Sequence, residues 1–244
     1  MPRLTATIQR LRKALAQDAP GAPAGTGSLT GNVAGRIRTA IVEGRLALGE
    51  ALSELRLAQA LDVSRTPVRD ALMVLQLEGL IEVRPQAGSF VFRPSDEALG
   101  ELAEFRRVLE SAALRLCHAR RRDDALRRMR RAVAAMEQAR AVDDLLGMAR
   151  SDSAFHQAIV DHSANQYLIA AYRLVAGQVA ALRTHALTAG GAAQRSSLSE
   201  HRAIVTAVAK GDLRRAEQVL EEHIWQMRAR YRCACGSTAA GAAT

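Results

Sequence analysis

No run of about 18 apolar residues, the length a helix needs to cross a bilayer, occurs in this 244-residue sequence, so no membrane partner is expected. The opening Met1-Pro2-Arg3-Leu4 lacks the apolar core and cleavage site of a secretory leader, and the expected location is the cytoplasm. Cysteine is scarce. Cys117, Cys233 and Cys235 cannot all pair within one chain, which argues against a disulfide framework. Two thiols in a C-x-C pair are too few for a metal site of their own, and Cys117 reads as a small buried apolar residue. No internal repeat recurs, and strand-forming residues are few after residue 95. What remains is a chain that is 48% apolar, enough for a real core, at a length that suits two modest domains.

The local pattern is richest between Leu52 and Val91, which reads as helix, turn, helix and β-ribbon, the order of a winged helix-turn-helix. Ser53 or Glu54 starts a short helix with Leu55, Ala58 and Leu61 on one face, and Asp62-Val63-Ser64 turns the chain. Thr66 as N-cap and Pro67 as first helical residue open a second helix. Its apolar side is Val68, Ala71, Leu72 and Leu75; its outer side is Arg65, Arg69, Met73 and Gln76; Gly79 ends it. Ile81, Val83, Phe90 and Phe92 flank Pro85-Gln86-Ala87-Gly88, a hairpin with glycine near its tip. Upstream, Val33, Ile37, Ala40 and Ile41 form the stripe of a preceding helix closed by Gly44. The net charge of +9 contributes little here, because residues 31–95 carry eight arginines against seven acids. DNA binding must then rest on particular arginines beside a helix N-terminus, not on bulk attraction.

The run Val63-Ser64-Arg65-Thr66-Pro67-Val68-Arg69-Asp70-Ala71-Leu72, followed by Leu77-Glu78-Gly79-Leu80-Ile81, resembles the recognition helix of the GntR family of bacterial transcription regulators. The resemblance implies that Ser64, Arg65, Thr66 and Arg69 contact double-stranded operator DNA. It also sets Gln86 and Gly88 of the wing on the DNA, with the glycine near the minor groove. One short helix covers too few base pairs to specify a genomic site, so a homodimer reading a palindrome is expected.

The rest of the chain reads as helix, giving a mainly α protein: an N-terminal winged helix-turn-helix and a C-terminal all-α helical bundle. The expected organisation is a flexible N-terminal arm over 1–30, with at most a short basic helix at Leu4 to Leu15, and a winged domain over 31–94. A helical effector and metal domain follows over 95–235, then a flexible tail over 236–244. Apolar faces are expected at Leu102, Phe105, Val108, Leu109 and Ala112, at Met129, Val133 and Met136, and at Phe155, Ile159 and Val160. Ser197-Leu198-Ser199-Glu200 has the form of a capping box with His201 in the first turn, and Gly211-Asp212 separates the last two helices. The arginine run from Arg120 to Arg131 reads as a solvated helix face.

Asp152 and His156 stand four residues apart, on one helical face and within reach of one metal ion, although such a pair is more often a surface hydrogen bond. His201 and His223 both neighbour apolar helix positions, so one aspartate and three histidines can converge. His118, His162 and His185 have no such context, and Asn165 reads as a cap or turn residue.

This half resembles the FCD domain of the FadR-like branch of the same family. Its marks are Glu104-Phe105-Arg106-Arg107-Val108-Leu109-Glu110, Asp152-x-x-x-His156 with Asn165, Glu200-His201-Arg202-Ala203-Ile204, Gly211-Asp212 and Glu222-His223. The resemblance implies that Asp152, His156, His201 and His223 bind a divalent metal ion, zinc before nickel or manganese, and that Arg106 and Arg107 hold a small carboxylate-bearing effector. The function expected is a metal-containing, effector-responsive regulator, a repressor before an activator, answering to a small organic or sugar acid. Two alternatives stand beside it: a metal-dependent hydrolase, since three histidines and an aspartate can activate water, and a DNA-binding regulator whose metal is purely structural.

Overall fold

The computed structural model describes residues 2–16, 28–187 and 191–240, with side chains withheld at 2–5, 191–195 and 233–240. The chain divides into two compact units, residues 1–93 and 94–244. No helix among the described residues is long and apolar enough to cross a membrane.

The first unit contains four helices, α1 (Pro2–Leu15), α2 (Leu29–Val42), α3 (Glu54–Leu61) and α4 (Arg65–Leu77), with strands β1 (Ala51–Leu52), β2 (Ile81–Arg84) and β3 (Gly88–Val91). The strands form one antiparallel sheet in the order β1-β3-β2, with Phe90 opposite both Ala51 and Glu82. Ser28 caps α2 by accepting from the Gly31 amide at 3.2 Å, and Val33, Ile37, Ala40 and Ile41 are buried as their spacing predicts. The sequence expects a mobile arm where the structure has α1. Leu11, Ala14 and Leu15 are buried, α1 packs on α2 and α3, and its C-terminal carbonyls accept from Arg36 (Leu15 O, 3.0 Å) and Arg45 (Ala16 O, 2.8 Å). Those guanidiniums satisfy carbonyls that a helix end leaves open. The remainder of the expected arm, 17–27, lies outside the described residues.

In α3 the phase differs from expectation: Leu57 is buried and Leu55 is 53% exposed. Ser53 caps the helix, and Asp62 closes it in the left-handed region (φ 57°). The inward face of α4 is as expected, Val68, Ala71, Leu72 and Leu75. Its start is not: Ser64 is the N-cap, without a side-chain cap bond, and Pro67 is the third helical residue. The first turn still suits proline because its N–H has no intrahelical partner there.

The second unit is all helical: α5 (Asp96–Ala141), α6 (Leu145–Asp161), α7 (Gln166–Leu187), α8 (Gly191–Lys210) and α9 (Leu213–Ala240). Ser95, Asp144 and Asp212 cap α5, α6 and α9, and the Asn165 carbonyl accepts from the Tyr167 and Leu168 amides at the head of α7. Helix α5 breaks at Arg121, whose backbone (φ −147°, ψ 39°) is not helical. A core of Leu114, Met129, Phe155, Ile159, Ile204, Leu220 and Ile224 ties α5, α6, α8 and α9 together.

Two expectations fail in this unit for physical reasons. The buried stripe of α5 is Leu99, Ala103, Arg106, Glu110, Ala113, Leu114 and Cys117, while Phe105 and Val108 are 39% and 65% exposed. Reading every apolar residue as inward gives the wrong phase, because a charged pair occupies the inner face. The expected capping box at Ser197 is also absent. Helix α8 begins at Gly191, so Ser197 and Glu200 lie inside it with side chains engaged elsewhere. Cys117 is a buried free thiol; the side chains of Cys233 and Cys235 lie outside the described residues. The expected tail from 236 is helical to Ala240, and 241–244 are outside the described residues.

Candidate functional site

The first unit offers a surface on α4 and the hairpin. Ser64, Arg65, Thr66 and Arg69 are all exposed around the first turns of α4, and Gln86 and Gly88 are exposed in the turn between β2 and β3. Arg65 is tethered to Glu54 across the turn at 3.2 Å, which orients its guanidinium while leaving it 66% exposed. Gln86 (φ 59°) and Gly88 (φ 101°) both have left-handed backbone. A Cβ at Gly88 would meet nothing within 4 Å, so the turn requires glycine for conformation, not for space. Beside it the Arg84 guanidinium lies 4.3 Å over the Phe90 ring, holding a cation at the base of the wing.

In the second unit, α6 contributes Asp152 and His156, α8 contributes His201 and α9 contributes His223, and all four are buried. One ligand atom from each lies within 4.8 Å of every other. His156 Nε2 is 3.1 Å from His223 Nε2 and 3.5 Å from Asp152 Oδ1, and His201 Nε2 is 3.6 Å from Asp152 Oδ2.

The outer side of each ring is engaged. His156 Nδ1 contacts the Glu110 carboxylate, His201 Nδ1 lies 2.7 Å from the Ser197 carbonyl oxygen, and His223 Nδ1 lies 2.6 Å from Glu200 Oε2. Carboxylates and carbonyls only accept, so each Nδ1 is the donor and each Nε2 presents a lone pair to the centre. Two such lone pairs facing each other at 3.1 Å call for a cation between them. His201 Nε2 and Asp152 Oδ1 are buried without a hydrogen-bond partner. Arg183 Nε is 2.7 Å from that oxygen but off the hydrogen-bonding direction. Burial lowers the His201 pKa to about 4 against the raising effect of Asp152, and burial takes His156 well below its usual value. Burial would raise Asp152, but Arg183 and the imidazoles outweigh it and hold the carboxyl well below the ordinary range. A buried carboxylate, two imidazoles held neutral and a third held by its outer nitrogen make a donor set that fits a divalent ion.

Beside this cluster is a cleft of about 380 Å³, its open mouth included, lined by Arg106, Arg183, Arg230, His223 and Met227 among others. The structure brings Arg106 to the cleft and leaves Arg107 exposed on the other side of α5, since adjacent helical residues point about 100° apart. Arg106 pairs with Glu110 at 2.9 Å and also faces the cleft. The sequence reading missed Arg183 and Arg230, and it missed the part played by Glu110 and Glu200. A signal existed for Arg183, the charged residue in the inner stripe of Val179, Leu182 and Ala186 on α7. His162 and His185 lie outside the cluster, with His162 bonded to the Ala158 carbonyl.

A winged reader joined to a helical unit with a buried His/Asp centre defines a class, a DNA-binding regulator carrying a sensing domain. The comparisons identify it. Residues 29–91 match the model of the bacterial regulatory proteins of the gntR family, and residues 101–226 match the FCD domain; the chain belongs to the FCD-containing GntR family of transcription regulators. It is 30% identical over 196 residues to the "Probable D-xylose utilization operon transcriptional repressor" of Paenarthrobacter nicotinovorans, covering 79% of this chain and 85% of that one. It is 28% identical over 218 residues to the "Uxu operon transcriptional regulator" of Escherichia coli, covering 81% and 84%. The crystal structure of the regulator GntR from Rhodococcus sp. RHA1 aligns with a TM-score of 0.72 and 29% identity over 84% of this chain and 98% of that one. Escherichia coli McbR/YncC, at 22% identity and a TM-score of 0.73 over 85% and 98%, shares the fold. The family and these relatives are transcription regulators, not enzymes, and the hydrolase alternative falls.

Proposed function

We propose that this protein is a metal-containing, effector-responsive repressor that acts in the cytoplasm as a homodimer on a palindromic operator. In this reading the winged domain, about 31–94, binds DNA through Ser64, Arg65, Thr66 and Arg69 of α4 and through Gln86 and Gly88 of the wing. The helical domain, about 95–235, holds a divalent ion on Asp152, His156, His201 and His223, and a small organic or sugar acid binds beside it with Arg106 as an anchor. The repressor sign draws on the relatives whose names include repression.

The observation that carries the reading is the orientation of the three rings: every Nδ1 has an acceptor outside the cluster, so every Nε2 faces Asp152. Three nitrogens and one carboxylate oxygen suit zinc, and also nickel or manganese. The bound ion would supply positive charge to an acid in the adjoining cleft. Arg107, exposed on α5, has no part in this site.

Elemental analysis of purified wild type and of a His201→Ala/His223→Ala variant tests the centre: one ion per chain in the first and none in the second is expected. Full occupancy in the double variant refutes it. Selection of duplexes from random DNA, followed by release with acids, tests the regulator. Recovery of two inverted half-sites is expected, and binding to a single half-site as tight as to the full operator contradicts the dimer.

A further inference from the structure

Arg106 and Arg183 come from different helices, α5 and α7, yet they are held in the same way. Arg106 spends Nε on Glu110 at 2.9 Å and Nη1 on Met227 Sδ at 3.2 Å. Arg183 sets Nε against Asp152 at 2.7 Å and Nη1 at 3.4 Å from Ser153 Oγ. In both, Nη2 is buried with no hydrogen-bond partner, and both residues line the cleft beside the histidines. A buried guanidinium N–H without an acceptor is costly, and two of them at one cleft ask for acceptors that the protein does not supply.

Charge gives the same answer. Arg106 pairs with Glu110, Arg183 with Asp152, and Arg230 with Glu200 at 2.6 Å, so the three cations are matched by three anions. A divalent ion added to this balanced set leaves two uncompensated positive charges in a buried site. A ligand with two negative charges restores neutrality; a simple monoacid leaves one charge over.

We infer that the cleft selects a short dicarboxylate, whose two carboxylates meet the free Nη2 donors of Arg106 and Arg183, and that Arg183 is a specificity-determining residue. This deepens the proposed effector reading and rests on it. Met227, Ala186 and Leu187 on the wall would cover the carbon chain joining the two ends. The volume of about 380 Å³, mouth included, limits that chain to a few carbons.

The test is calorimetric titration of metal-loaded, full-length protein with succinate and with butyrate, which share length and differ in one carboxylate. Succinate should bind at least tenfold more tightly. Arg183→Gln and Arg106→Gln should each bring that ratio close to one, with circular dichroism and metal content showing that the variant is folded and loaded. Equal binding of the two acids to wild type overturns the inference, as does a ratio unchanged in both variants. Butyrate that binds as well as succinate and also releases the selected operator duplex removes the dicarboxylate preference and keeps the effector reading. Succinate that binds preferentially without changing operator affinity does the reverse.

Discussion

His201 Nδ1 lies 2.7 Å from the carbonyl oxygen of Ser197, one helical turn back, and this contact fixes the ring proton on that side while Nε2 faces Asp152 with no hydrogen-bond partner. The ring is therefore ready to ligate and badly placed to be protonated, because it is fully buried. The metal-free protein should become less stable as pH falls. His201 titrates near 4 when folded and near 6.5 when free, so between those values the unfolded chain takes up a proton that the folded one refuses. Stability from this group is complete above pH 6.5 and is lost as pH falls toward 4, on the order of 3 kcal/mol in all. Glu200, which burial would raise but its bonds to His223 and Arg230 lower to about 2, adds loss of the same sign between 4.5 and 2. Urea unfolding of chelator-treated protein at pH 7 and pH 5 measures this, and a His201→Gln variant should show the shallower slope. Equal stability of wild type at the two pH values would contradict the burial argument.

Metal should stabilise the helical unit. Its ligands come from α6, α8 and α9, so binding ties together helices that are distant in sequence. At a hundredfold excess over the dissociation constant the gain is about 2.7 kcal/mol. Thermal unfolding with zinc, after chelation, and in Asp152→Ala should give a high, a low and a low midpoint in turn. An unchanged wild-type midpoint on chelation rejects the linkage.

The winged unit was readable because its signals are local. The α4 face follows from Val68, Ala71, Leu72 and Leu75, and the hairpin from a four-residue turn ending in glycine. The short α3 and the two-residue β1 carry too few periods to fix a phase, which is why Leu55 and Leu57 exchange places. Asp152 and His156 were readable as a pair on one helix. Arg106 differs from Arg107 only through the phase of α5, and that phase is set by burying the Arg106–Glu110 pair, a choice that apolar periodicity cannot report. Arg183, Glu200 and Arg230 join the site through packing of α7, α8 and α9, which no local pattern encodes.

Arg65 and Arg69 should carry operator binding from the start of α4, where both are exposed. Each changed to alanine should cost about 1–3 kcal/mol if it reads a base, or flatten the dependence on salt if it meets phosphate. Since Arg65 is also tethered to Glu54, Glu54→Gln should weaken binding less than Arg65→Ala. Titration of the selected duplex at several salt concentrations distinguishes these cases. Wild-type affinity and salt slope in both arginine variants would remove α4 as the reader.

Glu110 joins the two halves of the helical site, since one oxygen contacts His156 Nδ1 and the other accepts from Arg106 Nε at 2.9 Å. Its side chain has no exposure, so its charge is not replaced by solvent. Glu110→Gln keeps the shape and an acceptor for the imidazole but removes the charge that makes His156 a stronger ligand and balances Arg106. Outer partners of metal-bound histidines are worth about 10–100-fold in affinity, and zinc binding should weaken by that order. The uncompensated Arg106 should also cost stability, up to about 3–5 kcal/mol for a broken buried pair. Glu104→Gln, on an exposed position of the same helix, serves as the control and should change neither. Zinc titration against a competing chelator, on variants shown by circular dichroism to be folded, separates the two effects. If Glu110→Gln binds zinc as tightly as the Glu104 control, Glu110 supports only the fold and the bridge between cation and guanidinium has no energetic content.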